Sequence, residues 1–462
     1  MKTILANVSN SFFVRNFLRS DALRVLEKSG RVRLVLLAPG NKIDYYKKEF
    51  RDPFITFDVL PDVRNSWTER FFKFLETASI HTRTSYMLSK SHFHRRGSRR
   101  FFLGRLLSFM MRCFFWQAGQ FALFRALIRG IYFAIPNEAF DELLGTYKPD
   151  LVFLPTLIYA EDYVLAKAAK KRGIKTLGMT LSWDNFYSKT FLLVKPDELL
   201  VHTELIVEQA KKLGDYWKGR ITATGIPQYD RYFRRDGLLS RKDFFEKIGA
   251  DQSGKLILYA FSGKAGLDIE FSVLDILHSA LKKGEIPDRA QVLLRPYPRY
   301  DFPIWRLEEL KSKYGFMAFS PVAHPFGTKG DWEFDQAALD FLAASLAHSD
   351  IVITMYSTFF IEAAIFDKPL VAVGFDGDKK LDYWNSARRF FDWNHLAELR
   401  PLGGIKIVGN KEEFLEAVNK YLAQPSWLAQ GRRKIVLQQC QFTDGCAGER
   451  VAKTILRLLG LN

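Results

Sequence analysis

Residues 350–376 read DIVITMYSTFFIEAAIFDKPLVAVGFD, and three side chains there have the types and spacing to hold a diphosphate and the sugar beside it. Ser357 and Thr358 close an apolar strand and open a helix. Hydroxyls and unpaired backbone N–H groups at a helix start attract anions. Glu362 follows one turn later, where a carboxylate can reach ribose hydroxyls. The same spacing also suits a plain N-cap, with Glu362 only complementing the helix dipole, and leaves both roles open.

Other strand ends carry weaker signals. FSGKAG (261–266) offers Ser262, Gly263 and Lys264, a partial phosphate cradle without full P-loop spacing, or else an ordinary helix start. SWDNFYSKT (182–190) places Asp184 directly after a strand, flanked by Trp183 and Asn185. A carboxylate there could take a proton from an acceptor hydroxyl, or could close an Asx-turn. Glu161 and Asp162 follow another strand with the same two readings. The loop VSNSFFVRNF (8–17) presents Ser9, Asn10, Arg15 and Asn16 but no G-x-G-x-x-G. No Cys pair or H-E-x-x-H marks a metal site, and neither metal nor cofactor is expected.

These residues need strands to place them. KTILANV reads as a buried strand, Phe13 to Lys28 as one helix capped by Gly30, and VRLVLLAP as a second strand. That βαβ pattern implies a parallel sheet with helices on its faces. Strands at 150–155, 173–182 and DELLVHT continue it. After a polar, turn-rich stretch at 225–255, a second series runs through KLILYAFSG, QVLLRP, DIVITMYS and PLVAVGFD. The expected architecture is α/β, two Rossmann-like parallel-sheet domains with a cleft between them. Residues 1–235 form the first domain and 254–440 the second, and 441–462 form a helix that could return to the first. Ligands then belong beyond the carboxyl ends of the strands.

The 462 residues carry 68 Lys+Arg against 51 Asp+Glu, a surplus of +17 that favours polyanionic partners. Cys113, Cys440 and Cys446 are sparse and unpaired in spacing, which fits a reducing, cytoplasmic setting. The first residues read as a strand rather than a signal peptide, and no uncharged apolar run reaches the roughly 18 residues of a membrane span. The basic residues cluster in an aromatic insert at about 81–134, which has ten Lys/Arg and no acid. Two readings compete for it: an interfacial platform on an anionic membrane, or core helices with snorkelling arginines. The first is favoured, because one-signed charge with so much Phe and Trp exceeds what a core helix requires. No nucleic-acid module accompanies the charge, and none is expected as partner.

Ser357, Thr358, Glu362 and Pro369 together resemble the nucleotide-binding region of GT-B glycosyltransferases and their relatives, the CDP-glycerol glycerophosphotransferases and UDP-N-acetylglucosamine 2-epimerases. FTDGCAGER, through Asp444, Gly445 and Arg450, resembles the Asp-Gly…Arg close of that group. TGIPQYD (224–230) is similar to its stretch near the interdomain linker. VLLRPYP (292–298) resembles the segment that usually reads Arg-Pro-His-Pro, but Tyr297 stands where the His would be. Arg295 and the Tyr297 hydroxyl could still bind an anion.

The resemblance implies a transferase whose C-terminal half binds a nucleotide-activated sugar or polyol phosphate through Ser262, Gly263, Lys264, Arg295, Tyr297, Ser357, Thr358 and Glu362. The N-terminal half would present a cell-envelope glycan or lipid-linked acceptor to Asn10, Arg15, Asn16, Trp183 and Asn185, with Asp184 as base, at the inner face of the membrane. Alternatives are a 2-epimerase, for which no second acid/base set is evident, and a binding protein that has lost its chemistry.

Overall fold

The computed structural model describes residues 1–9, 11–94, 102–263, 266–287, 289–297, 304–315, 317–318, 323–325 and 332–461. The chain forms two compact units, Met1–Asp230 with Gln439–Asn462, and Arg231–Gln438.

The first unit is built on a seven-stranded sheet of β1 (Lys2–Asn7), β2 (Val32–Ala38), β3 (Ile55–Val59), β4 (Leu151–Leu154), β5 (Lys175–Met179), β6 (Glu198–Val201) and β7 (Arg220–Ala223). Its order is β3-β2-β1-β4-β5-β6-β7, and every pairing is parallel. The Val, Leu and Ile runs of the inner strands are buried on both faces, as a sheet covered by helices requires, while the edge strands β3 and β7 are only partly buried. The order reverses direction between β1 and β4, so the switch point lies at their carboxyl ends.

The second unit repeats the plan with β8 (Lys255–Ala260), β9 (Ala290–Arg295), β10 (Met317–Ala318), an antiparallel pair β11 (Ala323–Pro325) and β12 (Trp332–Phe334), then β13 (Ile351–Thr354), β14 (Leu370–Val373) and β15 (Lys406–Val408). Its main sheet is parallel in the order β10-β9-β8-β13-β14-β15, with the switch point between β8 and β13. Both sheets agree with the α/β, doubly wound reading of the sequence.

One helix differs from expectation. Phe13 to Lys28 is not continuous: a π-helical turn at Val14–Leu18 ends at Arg19, and a new helix starts at Asp21. The Ser20 side chain accepts from Ala22 N, and this cap sets the new start. The C-terminal helix Ala447–Leu458 packs on Asp21–Ser29 in the same unit, with Val451, Ala452 and Ile455 beside Ala22 and Leu26 in one core. Gly448 permits that approach, because a Cβ there would lie 2.9 Å from Ala22 N.

The aromatic insert forms the helices Arg83–His94, Phe102–Ala118 and Ala122–Ala134. Two of its basic residues face inward rather than toward a lipid surface. Arg125 and Arg129 both pair with Asp215, and Arg129 also donates to the carbonyls of Phe191, Leu192 and Gly214. Phe115 packs against the core, and Trp116 Nε1 donates to Thr82 O. Arg95, Arg96, Arg99, Arg100 and Phe101 lie outside the described residues. The outward face is apolar: Leu103, Leu107, Met110 and Phe114 on one helix, and Leu123, Leu127 and Ile131 on the next, are all exposed.

Candidate functional site

In the second unit, the carboxyl ends of β8, β9 and β13 meet around Ser262. Its Oγ accepts from Met355 N and Tyr356 N, both at 3.0 Å, and lies 3.0 Å from Thr354 Oγ1. Ser262 is therefore a tie between two strand ends, with its hydroxyl fully engaged inside the protein. Gly263 follows at φ 125°, a conformation that strains any residue with a side chain. Lys264 lies outside the described residues.

Arg295 ends β9, and its backbone carbonyl accepts from Phe261 N at 3.0 Å. Its guanidinium sits over the Phe359 ring at 4.6 Å, which brings the end of β9 to the start of the helix Phe359–Ile365. Tyr297 is partly buried two residues on. Ser357 and Thr358 are partly buried, and Ser357 Oγ accepts from Phe359 N at 3.2 Å. Ser357 thus closes a turn just before the seven-residue helix Phe359–Ile365, whose N-cap residue is Thr358. Glu362 is buried and accepts from the Tyr232 hydroxyl at 3.0 Å. Tyr356 stacks on Phe390 at 3.8 Å and meets Trp393 edge-on, so an aromatic cluster borders the same loop. Ser262, Arg295, Ser357 and Thr358 thus share one sheet edge, and Glu362 sits a turn deeper.

In the first unit, the switch point is occupied by groups the sequence reading ranked low or missed. Asn7, the last residue of β1, donates to Asp162 Oδ1. Asp162 Oδ2 accepts from Thr156 N at 3.1 Å, Leu157 N at 2.8 Å and the Thr156 hydroxyl. Burial pushes the Asp162 carboxyl up to about 7, against hydrogen bonds that favour its charge. Leu157 stands at φ 55°, so this acid holds a strained loop in place. Its neighbour Glu161 is ion-paired with Arg64. The available signal was a polar residue ending β1 and an acid pair opening the helix after β4.

Of the acceptor-side candidates, Asn185 is buried and joins two loops: its Oδ1 accepts from Ser182 N at 3.0 Å, and its Nδ2 donates to Thr156 O at 3.3 Å. Trp183 is buried beside it. Asp184 is partly exposed and ion-paired with Lys189 at 2.7 Å. Arg15 Nε donates to Asn16 Oδ1 at 3.1 Å on the π-helical turn, and Asn10 lies outside the described residues. His202, at the end of β6, went unnoticed in the sequence; burial drives its imidazole down to about 4.

Two of the segments that carried the resemblance act as fasteners within the first unit. Asp230 of TGIPQYD accepts from Ala447 N at 2.9 Å and Gly448 N at 2.7 Å, capping the C-terminal helix. In FTDGCAGER, Asp444 pairs with Arg450, and Arg450 Nη1 donates to Thr224 O at 3.4 Å. Among the described residues, no group of three His, Cys, Asp or Glu side chains could hold a metal ion.

A search of curated proteins finds no match to the chain. Solved structures do resemble it. The S. aureus MnaA–UDP co-structure has a TM-score of 0.56 at 12% identity, covering 100% of this chain and 98% of its own. The UDP-GlcNAc 2-epimerase from Neisseria meningitidis bound to UDP-GlcNAc has a TM-score of 0.56 at 14% identity, over 99% and 100% of the two chains. The UDP-GlcNAc 2-epimerase from Methanocaldococcus jannaschii has a TM-score of 0.51 at 13% identity, over 100% of both. At such identities the likeness is one of fold, and the fold is GT-B-like. The sequence model of the CDP-glycerol:poly(glycerophosphate) glycerophosphotransferases matches residues 182–457, more than half of the chain and all of its second unit. The chain therefore belongs to the CDP-glycerol:poly(glycerophosphate) glycerophosphotransferase family.

Proposed function

We propose that this protein moves a sugar or a polyol phosphate from a nucleotide-activated donor to a glycan or lipid-linked acceptor of the cell envelope, working at the membrane surface. The observation that carries this reading is the gathering of Arg295, Ser357 and Thr358 at the carboxyl edge of the second sheet, inside the segment matched by the family model. A guanidinium and two hydroxyls suit the charge that grows on a departing nucleotide phosphate. Glu362 offers a carboxylate to the ribose, and Gly263 gives the backbone freedom for close approach. Lys264 and the Tyr297 hydroxyl would complete the donor contacts. The family description favours CDP-glycerol as donor.

In transfer, an acceptor hydroxyl attacks the activated centre, its bond to the nucleotide phosphate breaks, and the proton passes to a base. Asp184 is assigned that role, with Lys189 fixing one carboxylate oxygen. Asn10, Arg15, Asn16, Trp183 and Asn185 would form the acceptor side. The exposed apolar stripes of Phe102–Ala118 and Ala122–Ala134 support work at a bilayer interface, where a lipid-linked acceptor resides. Among the described residues, no helix is long and apolar enough to cross a membrane.

The test is a thermal-shift panel of CDP-glycerol and of UDP-, GDP- and dTDP-sugars, followed by titration of the best ligand into Ser357→Ala and Glu362→Ala. A nucleotide should stabilise the protein by linkage. Each variant should lose about ten- to a hundredfold in affinity, the equivalent of about 1.5–3 kcal/mol for a charge-assisted hydrogen bond. No stabilisation by any nucleotide would sink the reading.

A further inference from the structure

Glu270 lies in the first turn of the helix Leu267–Lys282 and is fully buried. Its Oε1 accepts from Ser262 N at 2.9 Å, and its Oε2 has no hydrogen-bond partner among the described residues. Ser262 in turn holds Met355 N and Tyr356 N through its Oγ. Both lone pairs of that oxygen are then taken, and its proton goes to Thr354 Oγ1 or to Glu270. Three links thus connect a buried acid to the loop that carries Ser357 and Thr358.

We propose that Glu270 is a positioning residue of the donor site, which holds the loop Met355–Thr358 through Ser262 and does so as a neutral carboxylic acid. The inference rests on the donor-site reading given above. Burial pushes the Glu270 carboxyl up to about 8, and only its hydrogen bonds with Ser262 oppose that. Tyr259 of β8 faces it: the Tyr259 hydroxyl donates to Glu270 O at 3.3 Å and is itself held well above its usual range. Asp268 on the same helix is exposed. β8 carries one charged side chain, Lys255 at its opposite end, β13 carries none, and the charged side chains of the helix Lys411–Ala423, which also packs on this helix, lie at least partly in solvent. A neutral carboxyl left partly unpaired costs far less in a dry interior than a carboxylate does. Ionisation would place beside the donor-site loop a negative charge with no cationic partner among the described residues, and repulsion of the donor's phosphates would then weaken binding.

Titration with CDP tests this between about pH 7 and about pH 9.5, a range in which CDP itself does not change charge. Wild-type affinity should hold to about pH 8 and then fall about tenfold per pH unit, because binding is linked to one proton. Glu270→Gln keeps a neutral acceptor for Ser262 N and cannot ionise. It should match wild type at pH 7 and stay flat to the top of the range. Glu270→Ala should bind about tenfold more weakly at every pH. A wild-type profile without the fall, or the same fall in Glu270→Gln, overturns the proposal; if Ser357→Ala still weakens CDP binding, the donor site itself stands. Where CDP does not bind, the nucleoside diphosphate that stabilises best in the panel takes its place; unchanged binding in Ser357→Ala at pH 7, or no binding by any of them, removes the donor-site reading and this proposal with it. Glu270→Gln carries the test even if Glu270→Ala does not fold.

Discussion

Glu362 already has a partner before any ligand arrives. The Tyr232 hydroxyl donates to its Oε2, and the Tyr232 ring leans on Phe366 at 5.2 Å. That neighbour fixes the carboxylate, and its loss should be felt as misplacement rather than as a missing contact. Tyr232→Phe is expected to weaken nucleotide binding by about three- to tenfold, the worth of one ordinary hydrogen bond, with the melting temperature nearly unchanged. Calorimetric titration beside a melting curve would separate the two effects. Ser357 and Glu362 could be singled out from sequence because strand-to-helix spacing is local. The saturation of Ser262 could not, since Met355 and Tyr356 come from another strand some ninety residues away. Asp162 was named only as half of an acid pair, and its tie to Asn7 was hidden for the same reason, since Asn7 belongs to the first strand.

His202 adds a prediction of the opposite sign to Glu270. Its folded value of about 4 lies below the unfolded 6.5, so its contribution is present above pH 6.5 and is lost as pH falls through about 4. His202→Asn should therefore unfold less steeply over that window than wild type. A circular-dichroism acid titration gives the answer, and identical slopes would mean that other groups dominate.

Secondary-structure elements were legible where their residues pack in a single layer. Runs such as VRLVLLA and LVAV could only be strands buried on both faces, and the parallel sheets follow. The break at Arg19 was less visible, although Ser20 followed by Asp21 is a helix-start signal. The inward pairing of two of the insert's arginines could not be read from the sequence, because Asp215, which pairs with both Arg125 and Arg129, lies about ninety residues further along the chain. At the C-terminal helix, Asp230 satisfies two N–H groups at the helix start and gives a measurable weak point. Asp230→Ala should cost about 1–2 kcal/mol of local stability, so the amides of Ala447–Leu458 should exchange about tenfold faster or more. Asp230→Asn, which keeps one acceptor, should fall between. Unaltered exchange in Asp230→Ala would show that packing against Asp21–Ser29 alone holds the helix.

On the whole molecule, the surplus of +17 suggested attraction by charge, yet the described surface of the insert is chiefly apolar. Leu103, Leu107, Met110, Phe114, Leu123, Leu127 and Ile131 are exposed at helical spacing on two consecutive helices. Moving one such side chain fully out of water is worth about 1.5–3 kcal/mol, against about 1 kcal/mol for each basic residue near an anionic leaflet. With Arg125 and Arg129 committed to Asp215, seven apolar side chains entering only halfway contribute about as much as the eight remaining basic residues, so part of the binding does not depend on charge. Membrane binding should therefore prefer anionic vesicles but survive about 0.5 M salt, which screens exposed charges within a few ångströms. Leu107→Asp with Leu127→Asp should release the protein from vesicles at any salt and leave nucleotide binding intact, since both side chains point away from the core. Co-sedimentation with anionic and neutral vesicles, at low and high salt, decides the matter. Complete stripping of wild type by salt would return the binding to the basic residues, and undiminished sedimentation of the double variant would take these helices off the membrane.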